Sequence, residues 1–403
     1  MPTYSNRLMG LTGGGDDGWG LFYRARALKD AGEPVLELTI GEHDTRTAPD
    51  ILDAMDASAR GGHTGYAAVP GTRSLRDAVA KRLSSFSELT YGPENILITP
   101  GGQSGLFAAH SLACDPGDTA LLIDPYYATY PGTIRGVGAV PKPVATHPED
   151  GFQPREADLM AASLGAKSLL INTPNNPTGA VYSDATLEGI ARVAGARDLW
   201  VISDEVYDSQ IWEGTHRPFA SLPDMFERTL TVGSLSKSHA MTGSRLGWVA
   251  GPAGAVAQMI NLATHTTYGV PGFIQDAGCY ALSLGVEAEA AVAAPFLRRR
   301  NMVLERLAQQ QASNSLQIRA IPPSGAMYVM LDIRATGLSG NDFGEALLEE
   351  ERVAVMPGES FGVAAAGHIR VALTLPDEVF ATALDRLFAF AARQMDGRCA
   401  ATA

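Results

Sequence analysis

The chain has 403 residues, 45% of them hydrophobic and 19% charged, and a formal net charge of −13. That length exceeds what one hydrophobic core fills, so two folded domains are expected, with no disordered signature. The acidic balance argues against a nucleic-acid groove or an anionic membrane surface, since either needs clustered Lys and Arg.

In chain order, the first 40 residues read as irregular. "MPTYSNRLMG" lacks the basic start and apolar run of a secretory signal, and a soluble cytoplasmic protein is expected. "GGGDDG" at 13–18 fits the dinucleotide fingerprint only literally: no strand precedes it, and Asp16 and Asp17 would repel a pyrophosphate. It reads as a surface loop.

From about 49 to 283 helix-like and strand-like runs alternate. "PDILDAMDASARGG" reads as a helix. "NILIT" (95–99), "TALLIDP" (119–125), "KSLLINTP" (167–174), "LWVISDEVY" (199–207) and "RTLTVGS" (228–234) read as buried strands. Continuous apolar strands between helices predict a largely parallel sheet covered on both faces. Ligands of such sheets bind beyond the carboxyl ends of the strands. The rhythm changes near 285. A long helical pattern over 286–311, with a kink expected at Pro295, leads into strand-like "AMYVMLDI" and "HIRVALTL" and a final helix from Pro376. This reads as a smaller α+β domain. "RRR" at 298–300 reads as a solvated helix face.

Cys114, Cys279 and Cys399 are far apart and odd in number, and the eight histidines show no metal spacing, so neither a disulfide framework nor a metal site is expected. No apolar run is long enough to span a bilayer.

Five strand ends carry polar, aromatic or glycine clusters. Gly101, Gly102 and Gln103 open a helix directly after a strand, where bare N–H groups and the helix dipole suit an anion. Ser234, Ser236 and Arg245 add hydroxyl donors and a guanidinium fork. Tyr127 offers a flat face. Asp204 is a lone carboxylate in an apolar strand, a costly burial unless it meets a cation such as a protonated ring nitrogen. Tyr207 and Asn176 could donate to a ring oxygen, and Lys237 supplies an amine among small residues. Phosphate, flat ring, pyridinium and phenolate together describe pyridoxal 5'-phosphate. Blander roles stay open beside these: Asp204 as a helix cap, Tyr207 and Tyr127 as core aromatics, Gln103 as a helix-start residue, Arg370 as a strand-face ion pair, Asn176 as a turn residue before Pro177. His239 and Trp248 read as packing residues.

"SLSKSHAMTGSRLG" (234–247) resembles the lysine signature of the fold-type I, class I/II aminotransferases. The resemblance continues in order through "TIGEHD" (39–44), "GYAAVPGTRSLRDAVA" (65–80), "ITPGGQ" (98–103), "DPYYATYP" (124–131), "NTPNNPTG" (172–179), "SDEVY" (203–207) and "GHIRVAL" (367–373). It implies a mostly parallel, seven-stranded sheet in a three-layer large domain (45–285), a smaller α+β domain (286–403), and a segment 1–44 packing with the latter. It implies a ping-pong transfer of an amino group from an L-amino acid to a 2-oxo acid. Lys237 would be the Schiff-base lysine and proton carrier, and Asp204 the partner of the ring nitrogen. Tyr207 and Asn176 would bind the ring oxygen, and Tyr127 would stack on the ring. Gly101, Gly102, Gln103, Ser234, Arg245 and, less firmly matched, Ser236 would hold the phosphate. Tyr66 would reach the phosphate of a neighbouring subunit in a homodimer with shared sites. Arg370, with Gly41 and Asn176 beside it, would grip the substrate carboxylate.

Some aspartate-preferring relatives carry lysine where this chain has Gln103, which points away from acidic donors. Arg46 and His265 are the alternative cations, while Trp19, Phe22 and Tyr268 hint at an apolar or aromatic pocket. A neutral or aromatic donor is therefore expected. The alternative activity is a carbon–sulfur β-lyase on the same cofactor.

Overall fold

The computed structural model describes residues 2–15, 18–312 and 317–402. Asp16 and Asp17 lie outside the described residues, as does the Cys399 side chain.

The strands, in chain order, are β1 (Leu36–Glu37), β2 (Ile96–Thr99), β3 (Thr119–Asp124), β4 (Val140–Ala145), β5 (Ala166–Asn172), β6 (Trp200–Asp204), β7 (Thr229–Ser234), β8 (Gly247–Ala250), β9 (Arg319–Ile321), β10 (Tyr328–Asp332), β11 (Val353–Ala354), β12 (Met356–Pro357) and β13 (His368–Ala372). Seven of them form one sheet in the order β2-β8-β7-β6-β5-β3-β4. β8 is antiparallel to both of its neighbours, and the remaining pairs are parallel.

Successive strand side chains point to opposite faces, and both faces are covered. Leu170 and Ile202 pack with Leu106, Ala109, Val256 and Met259 of helices Gly101–Ala113 and Ala253–Thr264. Their neighbours Leu169, Ile171 and Val201 pack the other way, against Leu187, Ile190 and Val193 of helix Asp184–Arg197. Ile96, Ile98 and Trp248 extend that second face to helices Arg73–Ser85 and Gly272–Ser283. This two-sided burial is why the strand sequences are continuously apolar. Helix starts follow from local chemistry: Thr72, Ser183 and Ser339 each accept a backbone N–H of the first turn they cap.

A second, antiparallel sheet has the order β12-β13-β10-β9. It packs with Phe343 and Leu347 of helix Gly340–Glu351 and with Phe380, Leu384 and Leu387 of helix Asp377–Thr402. β1 pairs in parallel with β11 as a separate two-stranded sheet, and Ala372 N of β13 donates to the Leu38 carbonyl at 3.0 Å, which ties the segment carrying Gly41 to the smaller sheet.

Two readings need correction. The first 40 residues are not uniformly irregular, because Gly20–Asp30 is a helix with Leu21 and Ala25 buried. The arginine run is not a solvated face. Arg299 and Arg300 are buried, and Arg299 bridges Asp44 at 2.7 Å and Asp377 at 2.8 Å. Only Arg298 keeps its side chain largely in water. The helix Gly285–Ala312 runs through Pro295. Among the described residues, no single helix is long and apolar enough to cross a membrane, and no His/Cys/Asp/Glu cluster could hold a metal ion.

Candidate active site

The carboxyl ends of β3, β5, β6 and β7 converge with the loop after β1 on a cavity of about 370 Å³. Its wall includes Gly41, Gly102, Gln103, Tyr127, Asn176, Asp204, Tyr207, Ser234, Ser236, Lys237 and Arg245. A larger cavity of about 890 Å³ lies alongside, between the N-terminal segment and helices Gly101–Ala113 and Tyr130–Gly136, and shares Gln103. Its wall contains neither Lys237 nor Asp204, which belong to the smaller space, while Arg370 lines neither cavity and contacts Asn176 and Tyr328 of the smaller one.

Lys237 sits in the turn Leu235–Ser238 directly after β7. Its Nζ donates to the Gly41 carbonyl and lies 6.0 Å from the Tyr207 ring centroid. Burial pushes its pKa down, Arg370 and Arg245 push the same way, and Tyr328 and Glu42 oppose them. His43 Nε2 and Gln210 Nε2 both meet the Lys237 carbonyl, at 3.0 and 3.2 Å, which fixes the backbone from which the amine projects.

Asp204 ends β6 and is 5% exposed. Tyr130 Oη donates to its Oδ2 at 2.6 Å, and the Val206 amide reaches Oδ1 at 3.3 Å. No cation pairs with it among the described residues. Burial pushes its carboxyl up to about 6, against those hydrogen bonds. Tyr207 Oη shares a hydrogen bond of 2.9 Å with Tyr328 Oη, and both rings are buried. Tyr127 stands edge-on to Tyr130 at 5.6 Å and to Trp19 at 6.4 Å, and burial raises its phenol to about 12.

Gly101 has φ +76°, and a Cβ there would run into the Arg245 guanidinium. Glycine is required because the chain turns from β2 into the helix while arginine closes over it. Arg245 donates to the Thr242 carbonyl at 2.8 Å and has no carboxylate partner among the described residues. Ser234 Oγ donates to the Leu246 carbonyl at 3.0 Å and bonds Ser236 Oγ at 2.9 Å. Gln103 is clasped by Thr133 at 2.6 Å and Thr129 at 3.1 Å.

Arg370 lies in β13 and is 1% exposed. Its guanidinium lies over two rings, Tyr328 at 4.3 Å to the ring centroid and Phe361 at 4.5 Å. One terminal nitrogen donates to Asn176 Oδ1 at 2.8 Å and the other to the Thr39 carbonyl, while Nε is left without a partner. A buried guanidinium with no carboxylate and an unused donor is prepared for an anion that arrives with a ligand. At Gly41 a Cβ would collide with the Tyr328 hydroxyl.

The structure thus places the named site residues on this cavity or against its wall, Gly101 against Arg245 and Arg370 against Asn176 and Tyr328, except Tyr66, which is 93% exposed and packs edge-on to Tyr268 at 5.3 Å, outside its own chain's cavity; Trp19, Phe22 and Tyr268 do not line it. Arg46 and His265 are exposed and do not line it either. Tyr130, Tyr328 and Phe361 were not singled out in advance. Tyr130 stood inside the quoted "DPYYATYP" and could have been found there. Tyr328 and Phe361 carry no local signal, because their role comes from packing on an arginine distant in sequence.

An unpaired buried carboxylate, an amine of lowered pKa, a glycine turn at a helix N-terminus beside a free guanidinium, and aromatic walls are the donor set that pyridoxal 5'-phosphate requires. The fold and this set define a pyridoxal-phosphate enzyme of fold type I. The chain belongs to the class I and II aminotransferase family, which it matches over residues 33–387. It is 40% identical over 385 residues to the arginine–pyruvate transaminase of Pseudomonas aeruginosa, covering 95% of this chain and 97% of that one. It is 35% identical over 368 residues to the aspartate/prephenate aminotransferase of Thermus thermophilus, covering 90% and 92%. The solved aspartate aminotransferase of Thermus thermophilus with maleate superposes with a TM-score of 0.89 at 33% identity, covering 97% of this chain and 100% of that one. The protein is an amino-acid aminotransferase that uses pyridoxal phosphate.

Proposed function

We propose that this aminotransferase takes its amino group from a 2-amino acid with an uncharged or aromatic side chain. The observation that carries the reading is the cation inventory of the site. Lys237, the reactive amine, and Arg245, at the helix N-terminus where a phosphate would be held, are the cations of the cavity wall, and Arg370, stacked on the wall residue Tyr328, is the carboxylate anchor, which leaves no further cation among the described wall residues for an acidic side chain. Gln103 supplies a neutral amide there, and tyrosines supply flat surface.

When bound, pyridoxal phosphate supplies an electron sink that makes the substrate α-proton acidic. Asp204 would keep the ring nitrogen protonated, Tyr207 and Asn176 would hold the ring oxygen, and Tyr127 would cover the ring. The amides of Gly101, Gly102 and Gln103, the hydroxyls of Ser234 and Ser236, and Arg245 hold the phosphate. Arg370 orients the substrate carboxylate and so aims the α-carbon at Lys237. Lys237 Nζ, whose pKa burial lowers, would accept the α-proton.

The reading includes a homodimer. It is supported by the exposed Tyr66–Tyr268 pair, which does nothing for its own cavity. It also includes the cytoplasm as the working compartment, in keeping with the free thiols Cys114 and Cys279.

A second reading, a cationic donor, is favoured by Glu42, which belongs to the cavity wall, and by the likeness to the arginine–pyruvate transaminase of Pseudomonas aeruginosa. One experiment separates the two. Holoenzyme is mixed with each of the twenty amino acids in turn, without acceptor, and conversion of the visible cofactor band is followed. Fast conversion by leucine, methionine, phenylalanine or tyrosine supports the first reading; fast conversion by arginine or lysine alone supports the second and overturns the first. Lys237→Ala should abolish conversion by every donor, and retained conversion would remove Lys237 from the mechanism.

A further inference from the structure

We infer that Asp124 is a positioning residue for recognition of the substrate carboxylate: it holds the loop that presses Phe361 against Arg370. The inference rests on the reading of Arg370 as the carboxylate anchor.

Asp124 is the last residue of β3, in the large sheet, and is 3% exposed. No cation pairs with it among the described residues. Its carboxylate instead accepts backbone N–H groups from the smaller unit, Val363 N to Oδ2 at 3.0 Å and Ala364 N to Oδ1 at 3.2 Å. These amides open the short turn Val363–Ala365, so an anion is held on bare backbone donors. Gly362, immediately before, has φ +113°, and a Cβ there would collide with the Asp124 carboxylate. Its lack of a side chain is what lets the carboxylate approach. A further bond, Tyr126 N to the Phe361 carbonyl at 2.9 Å, runs from the same strand end to the same loop.

Phe361 is the residue this grip controls. The centroid of its fully buried ring lies 4.5 Å from the Arg370 guanidinium, which also lies over Tyr328. Two terminal nitrogens of Arg370 are tied to Asn176 and Thr39, so the plane of the fork is set by these bonds and by the two rings together. Releasing the loop frees one ring and lets that plane tilt. Carboxylate recognition is bidentate and directional, so a tilt weakens substrate binding while the cofactor contacts remain.

The test uses holoenzyme and 2-methylalanine, which has a carboxylate and an amine but no α-proton to remove, so binding is read from the cofactor band without turnover. Wild type is compared with Asp124→Asn, Asp124→Ala, Gly362→Ala and Arg370→Ala, and cofactor affinity is measured for each. Asp124→Ala and Gly362→Ala are each expected to weaken 2-methylalanine binding about tenfold while cofactor affinity stays within about twofold. Asp124→Asn, which keeps one acceptor oxygen and remains informative if the alanine variant does not fold, should fall in between. In the double variant Asp124→Ala/Gly362→Ala the losses should not add, because both break one contact. If Arg370→Ala weakens binding and the Asp124 and Gly362 variants do not, or if they lose cofactor equally, the inference is overturned and the Arg370 reading stands. If Arg370→Ala leaves binding unchanged, the carboxylate reading fails first and the inference falls with it.

Discussion

Tyr130 donates its phenol hydrogen to Asp204 Oδ2 at 2.6 Å, so this buried carboxylate of the cavity is steadied by a neutral group rather than by a cation. The pairing leaves the charge of Asp204 uncompensated and therefore available to a ligand. Tyr130→Phe removes the side-chain donor while keeping the ring packed against Tyr127. A hydrogen bond to a charged group contributes about 1.5–3 kcal/mol, so cofactor affinity should fall by at least about tenfold with little change in melting temperature. Equilibrium titration of apoprotein with pyridoxal phosphate checks this; unchanged affinity would show that Asp204 needs no such support.

The raised pKa of Asp204 predicts a pH dependence with a definite sign. Burial puts it at about 6 in the free protein, so below that pH the side chain is a neutral acid. Pairing with a cationic ring nitrogen requires the carboxylate, so binding releases a proton. Cofactor affinity should then fall as pH drops through 6, by up to about tenfold per pH unit from this group. Titrations at several pH values in wild type and in Asp204→Asn isolate the effect, because the variant cannot titrate there. Identical slopes in both would assign the dependence to the phosphate group instead.

The residues legible in advance were those whose chemistry is unusual for their position: a lysine among serines, a carboxylate in an apolar strand, glycines at a strand-to-helix turn. The central strands were legible because burial on both faces demands continuous apolar runs. β4 was missed for a physical reason. It is an edge strand with Pro141, Lys142 and Pro143 and a mostly exposed face, tolerated because an edge has no second neighbour to bond. β8 was missed because its four residues follow the lysine signature without a break. Arg299 was misread because charge in a helix is normally solvated, and its partners Asp44 and Asp377 lie far away in sequence.

Another largely buried arginine sets a stability prediction. Arg82 donates to Asp208 at 2.6 Å and to Glu289 at 2.8 Å, and all three side chains are largely buried. The triad joins helix Arg73–Ser85, the segment just after Tyr207, and helix Gly285–Ala312. Arg82→Met strands two carboxylates without a cation and should destabilise the fold by about 3–5 kcal/mol. Denaturant unfolding measures it. The triple change Arg82→Met, Asp208→Asn, Glu289→Gln should recover much of the loss. A single variant as stable as wild type would mean that water reaches both carboxylates.

Gln103 offers the sharpest test of donor choice. Its amide is clasped by Thr133 and Thr129 on the wall that the two cavities share. A lysine there would lose one clasp but would place a cation where the cavity has none for a substrate side chain. Gln103→Lys should raise kcat/KM for aspartate or glutamate relative to leucine or phenylalanine by about tenfold, because a charge pair across a partly desolvated site contributes one to a few kcal/mol. The comparison is made as a ratio of donors on one preparation, so a general loss of activity cancels. If the ratio does not move, the side chain of the donor points away from Gln103, and Glu42, on the same cavity wall, becomes the residue to vary next.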